Sequence, residues 1–272
     1  MELNRQQKIN FVDILWDYYA HNGRSGLPWR AAEADGSFDP YKIMVSELML
    51  QQTQVGRVAS KYQMFIEHFP NIRSLSKAEL GAVLRVWQGL GYNRRAKFLW
   101  QAAQIVDSVN YFPQTLPELV KLPGVGINTA GAILAYAYNF PAVFVETNVR
   151  TVYIHNFFQD RTDVHDKEIT ALLEQTLDRE NPREFYWALM DYGSHLKVSV
   201  GNANKASKHY TKQSKFQGSR RQVRGQIIRL LGRGGMPLSR LRAEIVDERL
   251  SGVLADLVQE GLVRIADSMY RL

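Results

Sequence analysis

The string Leu122-Pro123-Gly124-Val125-Gly126-Ile127-Asn128-Thr129-Ala130-Gly131-Ala132 constrains the fold of this chain more than any other feature. Pro123 stops what precedes it, because proline lacks an amide hydrogen and has a fixed φ. Gly124 and Gly126 let the backbone turn tightly with its amides pointing outward. A helix then begins near Asn128 and Thr129. Outward amides followed by a helix N-terminus form an anion site suited to a phosphate. Two glycines at this spacing are often only a turn, so the reading depends on what surrounds them.

The surroundings are helical. Ile9, Val12, Trp16 and Tyr19 recur at helical spacing. Ser76 and Glu79 have capping-box spacing, followed by Leu80, Val83, Leu84 and Trp87 on one helical face. Asn181-Pro182 reads as the cap and first residue of another helix. Alternating strand patterns are nearly absent before residue 260, so the first domain, 1–196, is expected to be all-α. Residues 197–219 are rich in Lys and Ser, contain Gly201 and Gly218, and read as a basic linker or arm. Residues 220–272 read as three short helices, then a hairpin turning at Asp267-Ser268. That order suggests a small winged-helix domain, with a generic capping bundle as the other possibility.

Composition narrows the function. The 272 residues contain no cysteine, which excludes disulfides, thiolate nucleophiles, iron–sulfur clusters and cysteine-bound zinc. The six histidines are scattered, so no metal and no cofactor is expected. No apolar run is long enough for a membrane span and the first residues are polar, so a cytoplasmic, nucleoid-associated monomer is expected. The net charge is +7, and the stretch from Lys197 to Arg224 carries many cations and no acidic residue. One basic segment on a nearly neutral body points to a polyanion partner; a solvated linker is the alternative.

Two carboxylates stand in suggestive places. Glu47 lies among Met44, Val45, Leu48 and Met49. Desolvation there would raise its pKa and suit it to general acid work. Because ionisable residues are mostly exposed, a glutamate on a polar helix face is the plainer reading of the residues alone. Glu146 ends the apolar run Val143-Phe144-Val145, and Asn148 follows at the start of a helix. An N-terminal capping pair explains them equally well.

Residues 25–195 resemble the helix-hairpin-helix DNA glycosylase superfamily, and within it the MutY-type adenine glycosylases. Four collinear motifs carry the resemblance: Leu27-Pro28-Trp29-Arg30, the string from Ser46 to Val55, Gly89-Leu90-Gly91-Tyr92, and the hairpin from Leu122. It implies a two-lobed helical fold acting on double-stranded DNA that contains a mispair or lesion. Glu47 would protonate the flipped base, and Glu146 would stabilise the cationic sugar. Asn148 would orient water or the neighbouring carboxylate, and Asn128 and Arg30 would border the base pocket. Gln52 and Tyr92 would wedge into the duplex, while Gly124, Gly126 and Thr129 would hold a phosphate.

The chain departs from the family pattern at four places. The cluster-binding cysteines are missing, and Lys205, Lys208, Lys212 and Lys215 are expected to take over DNA contacts of the cluster loop. Glu146 stands where the family has aspartate. Asn128 stands where lyase members carry a lysine, which implies a monofunctional enzyme. The usual C-terminal domain that reads 8-oxoguanine is not recognisable. Removal of adenine opposite 8-oxoguanine or guanine is the leading expectation. Excision of uracil, thymine or a damaged base is the second, and a non-catalytic DNA-binding protein the third.

Overall fold

The computed structural model describes residues 1–272. Its helices are α1 (Arg5–Asn22), α2 (Pro40–Leu50), α3 (Val55–His68), α4 (Ile72–Ser76), α5 (Leu80–Val86), α6 (Arg94–Val109), α7 (Leu116–Leu119), α8 (Ile127–Tyr138), α9 (Thr147–Phe157), α10 (Asp166–Thr176), α11 (Pro182–Ser199), α12 (Arg220–Leu231), α13 (Leu238–Glu244) and α14 (Leu250–Gln259). Strands β1 (Arg264–Ala266) and β2 (Met269–Arg271) close the chain as an antiparallel hairpin. No helix is long and apolar enough to cross a membrane.

The chain divides into two compact units, each assembled from separated stretches. The first holds Met1–Ile43, Gln114–Val120 and Val125–Lys212; the second holds Met44–Pro113, Lys121–Gly124 and Gln213–Leu272. In this region the chain passes from the first unit to the second after Lys212.

In the first unit, α9 packs against α11 and buries Val149, Val152, Tyr153 and Ile154. Helix α1 starts at a capping box in which Asn4 accepts from the Gln7 amide. It buries Phe11 and Leu15, while Ile9 is 41% exposed. Phe11 sets that phase, because its ring packs 5.1 Å from Tyr153 and 5.0 Å from Phe157. The basic stretch does not run free here. Val164 donates to the Ala206 carbonyl and Lys208 to the Val164 carbonyl, and Asn204 and Ser207 are buried.

In the second unit, Phe65, Val83, Leu84 and Trp87 are fully buried, with Phe65 edge-on to Trp87. The capping box expected at Ser76 and Glu79 does not form. Ser76 ends α4 and donates to Asp107, and Glu79 caps α5 without a side-chain bond. Asn71 and Ser74 make the capping box instead, one helix earlier. The C-terminal residues share this unit's interior. The Lys97 ammonium donates to the Glu260 carbonyl at 2.5 Å, and a Cβ on Gly81 would lie 3.1 Å from the Leu272 carbonyl oxygen. Met236 bridges Tyr270 antiparallel, so the order after residue 219 is helix, bridge, helix, helix, hairpin. Asp267 and Ser268 both take positive φ, the two-residue turn that matches strand twist in a hairpin.

Candidate functional site

The N-terminus of α9 is the most elaborated polar site of the first unit. Glu146 is its N-cap, and one carboxylate oxygen accepts from the Asn148 amide at 2.6 Å and the Val149 amide at 3.3 Å. Orphan amides and the helix dipole both favour an anion there. The Asn128 side chain, in the first turn of α8, donates to the Val145 carbonyl at 2.8 Å. Arg150 also reaches that carbonyl, and its guanidinium forks onto Asp166 at 2.7 Å twice. The Asp166 hydrogen bond, with help from the charges of Asp166 and Glu146 and against burial, holds Arg150 above its usual pKa.

Asn148 is held from two sides. Its amide nitrogen donates to the Met190 sulfur at 3.5 Å, and its oxygen accepts from the Lys197 ammonium at 2.5 Å. A side chain at Gly193 would collide with the Asn148 backbone at 2.7 Å, so glycine lets α11 approach α9 this closely. Burial pushes the Lys197 ammonium below its usual range, with Glu146 pulling the other way. Lys197 lies in the last turn of α11 and belongs to this cluster rather than to the basic arm, a role its place in a run of cations did not signal.

Deeper in the same unit, Arg30 is only 7% exposed and commits both terminal nitrogens to Asp191, each at 2.8 Å. Arg24 adds its backbone amide at 2.8 Å and its Nε at 2.7 Å, and Trp187 lies under the Arg30 guanidinium. Burial pushes the Asp191 carboxyl up, but the two arginines outweigh it and hold the group below its usual range. The structure thus places Arg30, expected at the base pocket, as the partner of a buried carboxylate.

In the second unit, Glu47 lies half-buried on α2 between residues that are fully buried: Met44, Val45, Leu48 and Met49. The helix ends at Leu50, and Gln52 then adopts φ +55° with its side chain exposed. A second loop carries Gly89 at φ +95°, Gly91 at +70° and Tyr92 at +45°. Positive φ is costly for residues other than glycine, so something must over-determine both loops. That something is Arg95. One of its terminal nitrogens donates to the carbonyls of Leu48, Met49 and Gln51, and the other to Thr53 Oγ1 and the carbonyls of Leu90 and Gly91. Burial lowers its guanidinium to about 10. Tyr92 lies over Arg95 at 5.4 Å and beside Arg221 at 5.5 Å, and its hydroxyl accepts from Arg221 at 2.7 Å and from Gln213.

Gly124 of the hairpin has φ +79°, and a Cβ there would strike Phe98 at 2.8 Å. Gly126, by contrast, has ordinary extended backbone, and a Cβ on it would meet nothing. It begins α8 without any side-chain cap. Lys205, Lys208, Lys212 and Lys215 are all exposed; the first three belong to the first unit and Lys215 to the second. The iron–sulfur cluster implied by the resemblance does not fit. The chain has no thiolate to ligate iron.

Residues 45–179 match the HhH-GPD superfamily of base excision DNA repair proteins. An adenine DNA glycosylase of Buchnera aphidicola (subspecies Baizongia pistaciae) is 35% identical over 76% of this chain, which spans 60% of that relative's length. Another, from Mycolicibacterium smegmatis, is 30% identical over 97% of this chain and 96% of its own. A thermostable thymine-DNA glycosylase shares the fold, with a TM-score of 0.61 at 23% identity over 73% of this chain and 91% of the other. The helical hairpin fold defines the class, and the near full-length likeness to the mycobacterial enzyme places this chain in the adenine DNA glycosylase family of the HhH-GPD superfamily.

Proposed function

We propose that this protein is a monofunctional DNA glycosylase that removes adenine mispaired with guanine or 8-oxoguanine. The observation that carries the reading is Glu146, a carboxylate fixed at the head of α9 in a chain of this family. Glycosidic cleavage passes through a cationic sugar, so it needs one acid for the leaving group and one carboxylate for the cation. Glu47, flanked by buried apolar residues, supplies the acid and protonates a ring nitrogen of the extruded adenine. The base then departs as a neutral molecule. Glu146 faces the developing charge, and the amides of Asn148 and Val149 fix its carboxylate beforehand, so little reorganisation is needed. Asn148, held by Lys197, orients the water that completes the reaction.

Gln52 and Tyr92 fill the gap left in the duplex and offset part of the cost of extruding the base. The first-turn amides of α8 take a phosphate without reading sequence. Exposed lysines of the segment 205–215 add phosphate contacts. The order of elements after residue 219 supports a winged helix. Asn128 cannot form an imine with the sugar, so the product is an intact strand with an abasic site. The reading is tested on a duplex with one adenine opposite 8-oxoguanine. Strand breaks at that adenine should appear only after alkali, and borohydride should trap no protein–DNA adduct. A duplex that stays alkali-stable would overturn the assignment, and a trapped adduct would overturn its monofunctional part.

A further inference from the structure

In the second unit, Gln213 and Arg221, which base release does not use, close a polar cluster around Gln52 and Tyr92. Gln213 donates to the Tyr92 hydroxyl and lies 3.5 Å from the Gln52 amide oxygen. Arg221, in the first turn of α12, donates to the same hydroxyl and to the Ser214 carbonyl. The neighbouring arginines of α12 are neutralised: Arg220 pairs with Asp256 and Arg224 with Glu260. Arg221 is held only by neutral oxygens, so its charge is uncompensated beside the two wedge residues. Exchanging neutral acceptors for those of another neutral group costs little, whereas pulling a guanidinium from a carboxylate costs much.

The rest of the C-terminal segment does not offer a better reader. Helix α14, the third of the three, exposes Ser251, Gly252, Ala255 and Gln259, and carries Asp256 but no cation. A helix of that composition is poorly suited to a phosphate-lined groove. The cationic, exchangeable contact lies at the head of α12 instead.

We propose that Arg221 and Gln213, together with Gln52 and Tyr92, read the base that remains in the duplex, and that they favour a guanine-type base there. The proposal rests on the reading of Gln52 and Tyr92 as the duplex wedge. A planar guanidinium fork matches the two acceptors on the outer edge of guanine, a match pyrimidines cannot supply. The Gln213 amide both donates and accepts, so it tolerates the altered edge of an oxidised guanine.

The test is equilibrium binding of the full chain to labelled duplexes that carry an abasic analogue opposite guanine, 8-oxoguanine, adenine, cytosine or thymine. No base is released, so the outcome does not depend on which base the protein excises. The wild type should prefer the guanine-type partners over pyrimidines by about tenfold, the discrimination of one good two-pronged base contact. Arg221→Met should bring that ratio close to one, with the loss confined to guanine-type duplexes. Tyr92→Phe, which keeps the ring and removes the hydroxyl, should reduce it partway, and thermal melting should report both variants folded. Tight wild-type binding without preference would overturn the proposal, as would equal weakening of every duplex by Arg221→Met. Tighter binding of every duplex by Arg221→Met would show the contact to be a latch and overturn it too. Failure to bind any duplex would instead bring down the wider DNA reading, and this proposal with it.

Discussion

The head of α9 and the paired loops around Gln52 and Tyr92 are both built to hold polar side chains still, but by opposite means. At α9 the backbone is ordinary and the side chains do the holding. Glu146 caps its own helix, Lys197 grips Asn148, and Asn128 and Arg150 share the Val145 carbonyl. In the loops the backbone itself is unusual, and one buried guanidinium, Arg95, collects five carbonyls and a hydroxyl to keep it so. The difference suits the two tasks we propose for them. A carboxylate that stabilises charge needs fixed dipoles around it, whereas residues that enter a duplex must protrude from a loop that cannot collapse.

That contrast can be broken at several points, and the largest effect is expected at the acid. Glu47→Gln should lower single-turnover adenine release by about a thousandfold, the usual worth of a general acid, while leaving duplex affinity nearly unchanged. A variant that lost affinity but kept its rate would move Glu47 from chemistry to reading. Asp191→Asn should cost about 3 kcal/mol of stability at neutral pH, because it leaves the buried Arg30 without its counter-charge. Its pH dependence has a definite sign. The folded-state value lies below the ordinary 3.8, so the stabilisation is full above that value and is lost as the pH falls from it toward the lower folded value. Urea unfolding at pH 7 and pH 3.5 should show the variant lacking that acid-sensitive part of stability.

Lys197→Met should slow release about tenfold by loosening Asn148, with no change in the preference for the opposite base. The wild-type rate should also fall as alkaline pH removes the lysine proton, below the ordinary 10.5 because burial has lowered its value, and the variant should lack that limb. A rate profile with the same alkaline limb in both proteins would leave Lys197 structural. The smallest effect is expected from neutralising Lys205, Lys208, Lys212 and Lys215 together. Binding to every duplex should weaken, and the plot of log affinity against log salt should flatten by about 0.9 for each phosphate no longer neutralised. An unchanged slope would remove these lysines from the interface.

Much of this arrangement was legible in the residues. The hairpin string announced itself because glycine and proline act locally: Gly124 does take the left-handed backbone its place demanded, and Asp267-Ser268 does turn the last hairpin. Glu146 and Asn148 could be placed at a helix start because capping chemistry is confined to a few residues. What could not be read depends on contacts distant in sequence. Nothing near Arg95 tells that its guanidinium serves carbonyls more than forty residues earlier. Lys197 sat within a run of exposed cations, yet burial and Asn148 set it apart. The Ser76–Glu79 pattern misled because Ser76 finds a better partner in Asp107, thirty-one residues away. The contact of Arg221 with Tyr92 was hidden for the same reason, since a basic stretch looks alike whether its members face solvent or a tyrosine hydroxyl.

Release of adenine from mispairs is the activity we propose for this chain. Its most direct test is chromatography of the free base liberated in a single turnover, from duplexes holding adenine opposite guanine or 8-oxoguanine beside others holding uracil, thymine, hypoxanthine or an oxidised base. Free adenine is expected, released by the wild type and not by Glu47→Gln. Release of a different base, or of none, would contradict it.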